Sequence, residues 1–239
     1  MTDMLFRDDP YLRAANGKVT AHTPEGGIVL DQTVFYPTGG GQPGDNGTIS
    51  WPGNRIEIAT AVKGEGDDII LIPAEPRSLP PVGSHVEQSL DWERRHGHMR
   101  VHTALHLLSV IMPFGVTGGS ISATKGRLDF AMDDAPENRD EMIEILNDLV
   151  SEDLPVADEW IDEAELDANP GLVKTLRVAP PRGKGPVRLI RIGRGDETVD
   201  LQPCGGTHVA RTGEIGTLRL GKIEKKGRMN RRINIHIDS

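Results

Sequence analysis

The spacing of apolar residues changes period at Asp91, and this switch constrains the fold more than any single motif. Over the first ninety residues, short β-type runs ("KVTAH", "GIVLDQTVFY", "RIEIATAV", "DIILI", "SHVEQSLD") are broken by Gly, Pro and Asp. Closely spaced strands with turn residues between them predict a small antiparallel barrel or sandwich. From "DWERRHGHMRVHTALHLLSVIM" onward, Val101, Leu105, Leu108 and Met112 recur at three- and four-residue intervals. That spacing predicts a helix with one buried face, with Asp91 as its N-cap. "GVTGGSISATKGRLDFAM" reads as strands with turns, and Pro136 opens a second predicted helix whose inner face is Met142, Ile145, Leu146, Leu149 and Val150. Four strand candidates follow: "PVRLIRIG", "TVDLQPC", "TGEIGTLRL" and "NRRINIHI". The expectation is an α+β chain, with a small antiparallel β-barrel-like domain over 1–90 and an α+β domain over 91–239.

The 239 residues suffice for two modest cores, and no apolar run approaches the roughly 20 residues that span a bilayer. The acidic start "MTDMLFRDDPYL" does not read as a secretory signal, and a lone cysteine, Cys204, excludes an internal disulfide. A cytoplasmic protein without a membrane partner is expected. The net charge of −9 looks unfavourable for a polyanionic partner, but the sum conceals segregation. Thirteen acids and one base lie between Glu137 and Asp167, whereas seven bases and one acid lie between Arg219 and Arg232. Local patches decide where a polyanion docks, so the basic stripe is the candidate surface. The Pro/Gly-rich "VAPPRGKGP", with Arg182 and Lys184, reads as a mobile loop that can touch the same partner.

"HTALHLL" places His102 four residues before His106 on the first predicted helix. Residues at that spacing share a face and can present ring nitrogens to one metal ion, or simply occupy a polar helix edge. A zinc peptidase needs a glutamate beside the first histidine, and Thr103 stands there instead. The only cysteine lies four residues before His208 in "CGGTHV". Thiolate and imidazole complete a four-ligand nitrogen and sulfur set that favours zinc over harder cations. The intervening glycines let the backbone turn both side chains toward one point.

"HTALHLL", "CGGTHV" and "FYPTGGGQPGD" (35–45) together resemble the editing domain of alanyl-tRNA synthetases, and still more its free-standing AlaX-type relatives. "LFRDDPYL", "GRLDF" and "TGEIGTLRLGKIEKKGRMNRRI" fit the same pattern, so the resemblance runs over essentially the whole chain. It implies a trans-acting editor of the medium-length type, whose zinc is held by His102, His106, Cys204 and His208. It also implies hydrolysis of the ester joining serine, with glycine as a second substrate, to tRNA(Ala).

For such an ester, Gly39, Gly40 and Gly41 would let a polar ligand approach the main chain. Thr38, Gln42 and Thr103 are the candidates for reading a serine hydroxyl. No Gly-Lys-Ser/Thr follows the glycines, so this is not a phosphate loop. Lys222, Lys225, Lys226, Arg228, Arg231 and Arg232, with Arg219, are candidates for tRNA phosphates, and Arg94, Arg95 and Arg100 would extend that surface. Asp129 and His98 are the titratable groups considered as proton donors. The rival readings are an RNA-binding module with a structural zinc, a metal-dependent esterase of small molecules, and an editor of another tRNA.

Overall fold

The structure is a computed structural model that describes residues 1–176, 182–183 and 185–238. Lys184 of the expected mobile loop lies outside the described residues, as does most of the segment before it. The chain divides into two compact units, Met1–His96 and Gly97–Ser239, where the change of period had placed a boundary at 90/91. Among the described residues no helix is long and apolar enough to cross a membrane.

The first unit contains β1 (Asp3–Met4), the single-turn α1 (Leu5–Asp8), β2 (Ala14–His22), β3 (Ile28–Leu30), β4 (Gln32–Thr33), β5 (Gly47–Trp51), β6 (Asn54–Lys63), β7 (Ile69–Pro73) and β8 (His85–Leu90). Six of these strands close a barrel in the order β2-β3-β7-β6-β5-β8, and every barrel pairing is antiparallel. Alternate residues along the strands turn inward: Val86, Gln88 and Leu90 are buried on β8, and Ile56 and Ile58 on β6. The apolar ones among them, with Val19, Ile28, Leu30, Ile49, Ile69 and Leu71, fill the core. The run "GIVLDQTVFY" is not one strand but two, β3 and β4, and β5 arises from "GTISW", whose Thr and Ser hide its β character.

Helix α2 (Trp92–Ile111) begins where expected: the Asp91 carboxylate accepts the Arg94 N–H at 3.2 Å, the bond of an N-cap. Its burial is wider than the expected single face. Met99, Val101, Ala104, Leu105, Leu107 and Leu108 are all buried, and so are His102, Thr103 and His106 between them.

In the second unit follow β9 (Val116–Ile121), β10 (Lys125–Phe130), α3 (Arg139–Ser151), β11 (Val156–Ile161), the short α4 (Glu163–Ala168), β12 (Val187–Ile192), β13 (Asp200–Pro203), β14 (Leu218–Gly227) and β15 (Asn230–Ile237). One antiparallel sheet has the order β14-β15-β10-β9 and a second the order β11-β12-β13. Two glycines bring α2 close to the strands. A Cβ at Gly126 on β10 would lie 2.6 Å from Val101 Cγ1, and one at Gly97 would lie 2.6 Å from the Ala123 carbonyl oxygen. On α3 only Met142, Leu146 and Val150 are buried, while Ile145 is exposed, so its inner face is narrower than the five residues expected. "TGEIGTLRL" is also not one strand, since Thr212–Ile215 forms a 3-10 turn before β14.

Candidate metal centre

The four expected ligands meet. His102 and His106 project from consecutive turns of α2, and Cys204 and His208 come from the loop that leaves β13. One donor atom from each lies within 4.8 Å of every other. Cys204 Sγ is 3.5 Å from His102 Nε2 and 3.3 Å from His208 Nε2. The His208 ring centroid lies 4.3 Å from that of His102 and 4.6 Å from that of His106. The three histidines are buried and Cys204 is half-buried. Such a set can hold a metal ion.

Two ring nitrogens on the far side of the cluster are tied down by oxygen acceptors. The buried Asp200 carboxylate accepts the Nδ1–H of His106 at 2.8 Å. The Thr103 hydroxyl donates to the Met99 carbonyl at 3.0 Å, so it faces His208 Nδ1, 3.1 Å away, as an acceptor. These acceptors make Nδ1 the protonated nitrogen of each ring in its neutral form, which leaves the Nε2 lone pair to face the cluster. The Val209 N–H reaches the same Thr103 oxygen at 3.3 Å, which completes the bonding capacity of that hydroxyl. In this structure the Thr103 hydroxyl bonds Met99, His208 and Val209.

Sequence reasoning missed several groups that hold the ligands. Arg188 on β12 donates from Nη1 to the carbonyls of Cys204 (3.1 Å) and Gly206 (2.9 Å), and its own carbonyl accepts the Cys204 N–H at 3.2 Å. The Gly206 N–H points at Cys204 Sγ from 3.4 Å. Asp200 receives two further donors, Lys174 Nζ at 2.5 Å and Gln202 Nε2 at 2.7 Å. A sequence signal for the last group existed: in "DLQPC", residues 200, 202 and 204 alternate as on one face of a strand.

The electrostatics prepare the cluster for a cation. Burial alone would raise the Cys204 thiol, but the neighbouring His102 and His208, and hydrogen bonds from His102 and His106, hold it well below its ordinary range. Burial likewise disfavours a charged His106, yet Asp200 and Cys204 outweigh it and raise His106 to about 9. His208 is pushed down to about 3, first by burial and then by His102. Burial would raise Asp200 too, but His106 and Lys174 bring it down to about 2.

The other expected site residues fall elsewhere. In the first unit, Gly39 and Gln42 exchange main-chain hydrogen bonds of 3.0 and 2.9 Å across Gly40 and Gly41, whose φ angles are +58° and +83°. Two left-handed residues in succession make a type I′ turn, which explains the glycines in structural terms. The Thr38 hydroxyl caps that segment, accepting the Gly44 N–H at 2.9 Å, and Gln42 is fully buried. Arg95 is not a surface cation. It is fully buried, ion-paired with Asp45, and donates to the Val34 carbonyl at 2.7 Å. Arg100 spends its guanidinium on the Ile215 carbonyl at 2.9 and 2.7 Å. Asp129 is held by Arg127 and Arg232; burial raises its carboxyl, but these guanidinium groups bring it below the ordinary range, which unsuits it as a proton donor at neutral pH. His98 is buried in the second unit.

The basic stripe is also divided. Arg231 is 6 % exposed and donates to the Gly227, Arg228 and Asn230 carbonyls, closing the β14–β15 hairpin instead of facing solvent. Arg232 is bound to Asp129, Lys226 to Glu224 at 2.6 Å, and Arg219 to Asp238. Lys222, Lys225 and Arg228 remain as exposed cations of the hairpin, and Arg182 pairs with Asp167 at 2.6 Å.

Comparison with known proteins places the chain in a family. Residues 187–234 match the family model described as the second additional domain of threonyl and alanyl tRNA synthetases, and residues 13–94 match that of class II (A) tRNA synthetases. The chain is 33% identical over 232 residues to an alanine–tRNA ligase of Pyrobaculum arsenaticum, matching 94% of this chain but 25% of the ligase. It is 32% identical to the alanyl-tRNA editing protein AlaX-M of Methanosarcina acetivorans, over 98% of both chains. To the AlaX-M protein of Pyrococcus horikoshii it is 34% identical, over 100% of this chain and 99% of the relative. With the whole length matched at this level and the four candidate ligands gathered at one point, the chain belongs to the alanyl-tRNA editing protein family of the AlaX-M type.

Proposed function

We propose that this chain is a trans-editing deacylase: it hydrolyses the ester that joins a wrong amino acid, chiefly serine and secondarily glycine, to tRNA(Ala). The observation that carries the reading is the convergence of His102, His106, Cys204 and His208, in a chain whose full-length relatives are named alanyl-tRNA editing proteins. Zinc is the metal we assign. Three imidazoles and one thiolate are a nitrogen and sulfur donor set that zinc favours over harder cations, and these four residues would hold it.

When bound, zinc would supply a Lewis acid that orients the aminoacyl group or its attacking water. The protein's part is to keep that centre rigid. Thr103 and Asp200 fix two of the rings, and Arg188 fixes the loop that carries the sulfur and the third ring. Rigid placement is sufficient for much of the work, because an aminoacyl ester is already labile and gains most from a preorganised polar setting. The need for such an enzyme follows from binding energetics: a site built for alanine cannot strongly reject glycine or the slightly larger serine, so a second, hydrolytic site improves accuracy. Lys222, Lys225 and Arg228 are the proposed phosphate contacts. Gly40 and Gly41, at the exposed tip of their turn, are proposed to meet the tRNA through main-chain groups.

Incubation of Ser-, Gly- and Ala-tRNA(Ala) with substoichiometric protein tests the reading. Release of serine, with Ala-tRNA(Ala) spared, supports it. Failure to turn over Ser-tRNA(Ala) overturns it, and equal turnover of a free seryl ester would favour the small-molecule esterase.

A further inference from the structure

Behind His106 lies a closed polar ring that no ligand motif contains. Asp200, 2 % exposed, accepts from His106 Nδ1 at 2.8 Å and from Gln202 Nε2 at 2.7 Å. Gln202 Nε2 also donates to Ser109 Oγ at 3.1 Å, and Ser109 Oγ donates to the His106 carbonyl at 2.7 Å. The ring thus returns to the residue where it began, joining α2 to β13. Outside it, Lys174 Nζ sits 2.5 Å from the other Asp200 oxygen and is a quarter exposed.

The geometry points to Asp200 as the positioning residue of the metal centre: it holds His106 in the tautomer that offers Nε2 to the ion, and its negative charge strengthens that ligand, while Lys174 offsets part of the same charge. This rests on the metal-binding reading above but not on the deacylase activity. A carboxylate behind a ligating imidazole makes the ring a better donor, and such partners are typically worth about 10–100-fold in metal affinity. An ammonium group beside that carboxylate repels the incoming cation and weakens the effect. The two partners of the Lys174–Asp200 ion pair therefore have opposite consequences for the metal, which a merely structural ion pair would not have.

Competition for Zn2+ against a chromophoric chelator, on the full chain, separates these cases. Asp200→Asn is expected to weaken binding about 10–100-fold. Lys174→Met is expected to retain the wild-type affinity or tighten it. An Asp200→Asn protein that is folded by circular dichroism and binds Zn2+ as the wild type does overturns the proposal. So does a Lys174→Met protein weakened as much as Asp200→Asn. If Asp200→Asn does not fold, the zinc-loaded wild type decides. Histidine 15N shifts should show His106 protonated at Nδ1 and ligating through Nε2, and ligation through Nδ1 overturns the proposal. A wild-type chain that takes up no Zn2+ overturns the metal reading and this proposal together, whereas a wild-type chain that binds Zn2+ but does not turn over Ser-tRNA(Ala) overturns the deacylase reading alone and leaves this proposal to the affinity comparison.

Discussion

At the scale of single residues, the centre is a set of proton positions as much as a set of ligands. Cys204 is held well below its ordinary range, and His208, at about 3, carries no competing proton at neutral pH. His106, raised to about 9, is the ligand that must lose a proton. The sign follows: raising the pH toward 9 removes the competing proton, so metal affinity should rise about tenfold per pH unit below that value and level off above it. Calorimetry of Zn2+ binding in buffers of different ionisation enthalpy should report net proton release at pH 7.5, and release of none would contradict a His106 raised to about 9. Thr103→Val keeps the volume but removes the acceptor facing His208 Nδ1, and should weaken Zn2+ binding by about tenfold in a chelator competition. The four clustered residues were legible in the sequence as candidate ligands because each pair's spacing is local and their chemistry rare. Asp200, Lys174, Ser109 and Arg188 were not, because the contacts that give them meaning span from 16 to 94 residues.

At the scale of elements, the site depends on how closely α2 lies over β10. Gly126 is the contact point, and a methyl there would lie 2.6 Å from Val101 Cγ1 and 3.0 Å from Leu105 Cδ1. Gly126→Ala should cost about 1–3 kcal/mol in urea unfolding by overpacking, and a cost near zero would mean that the helix can lift without penalty. The helix itself was readable from its period and N-cap, but not the extent of its burial. A pattern of apolar residues marks one face, whereas His102, Thr103 and His106 are buried by partners such as Asp200 and His208 that come from far along the chain. The barrel strands were readable where Val and Ile alternate. They were missed where, as in β5, polar β-formers carry the alternation, and the run "GIVLDQTVFY" concealed the break at Asp31 between two short strands.

At the scale of the whole molecule, charge is segregated. The chain carries −9 overall, yet Lys222, Lys225 and Arg228 crowd one exposed hairpin. If they meet phosphates, tRNA affinity should fall steeply between 50 and about 200 mM salt, and each of Lys222→Ala and Lys225→Ala should reduce the salt slope by about one. Slopes unchanged in both variants would move the RNA surface elsewhere. Reading the sequence overcounted this patch, because composition cannot tell that Arg231 closes a turn or that Arg232 serves Asp129. Editing as proposed depends on one thiolate and three imidazoles acting together on one ion. Its most direct test is to measure bound metal and Ser-tRNA(Ala) deacylation in parallel for the wild type and for Cys204→Ala. The expected result is about one Zn2+ per wild-type chain, loss of metal and of serine release together in the variant, and return of wild-type activity when the stripped wild type is reloaded. Serine release at the wild-type rate from a metal-free Cys204→Ala protein would contradict it.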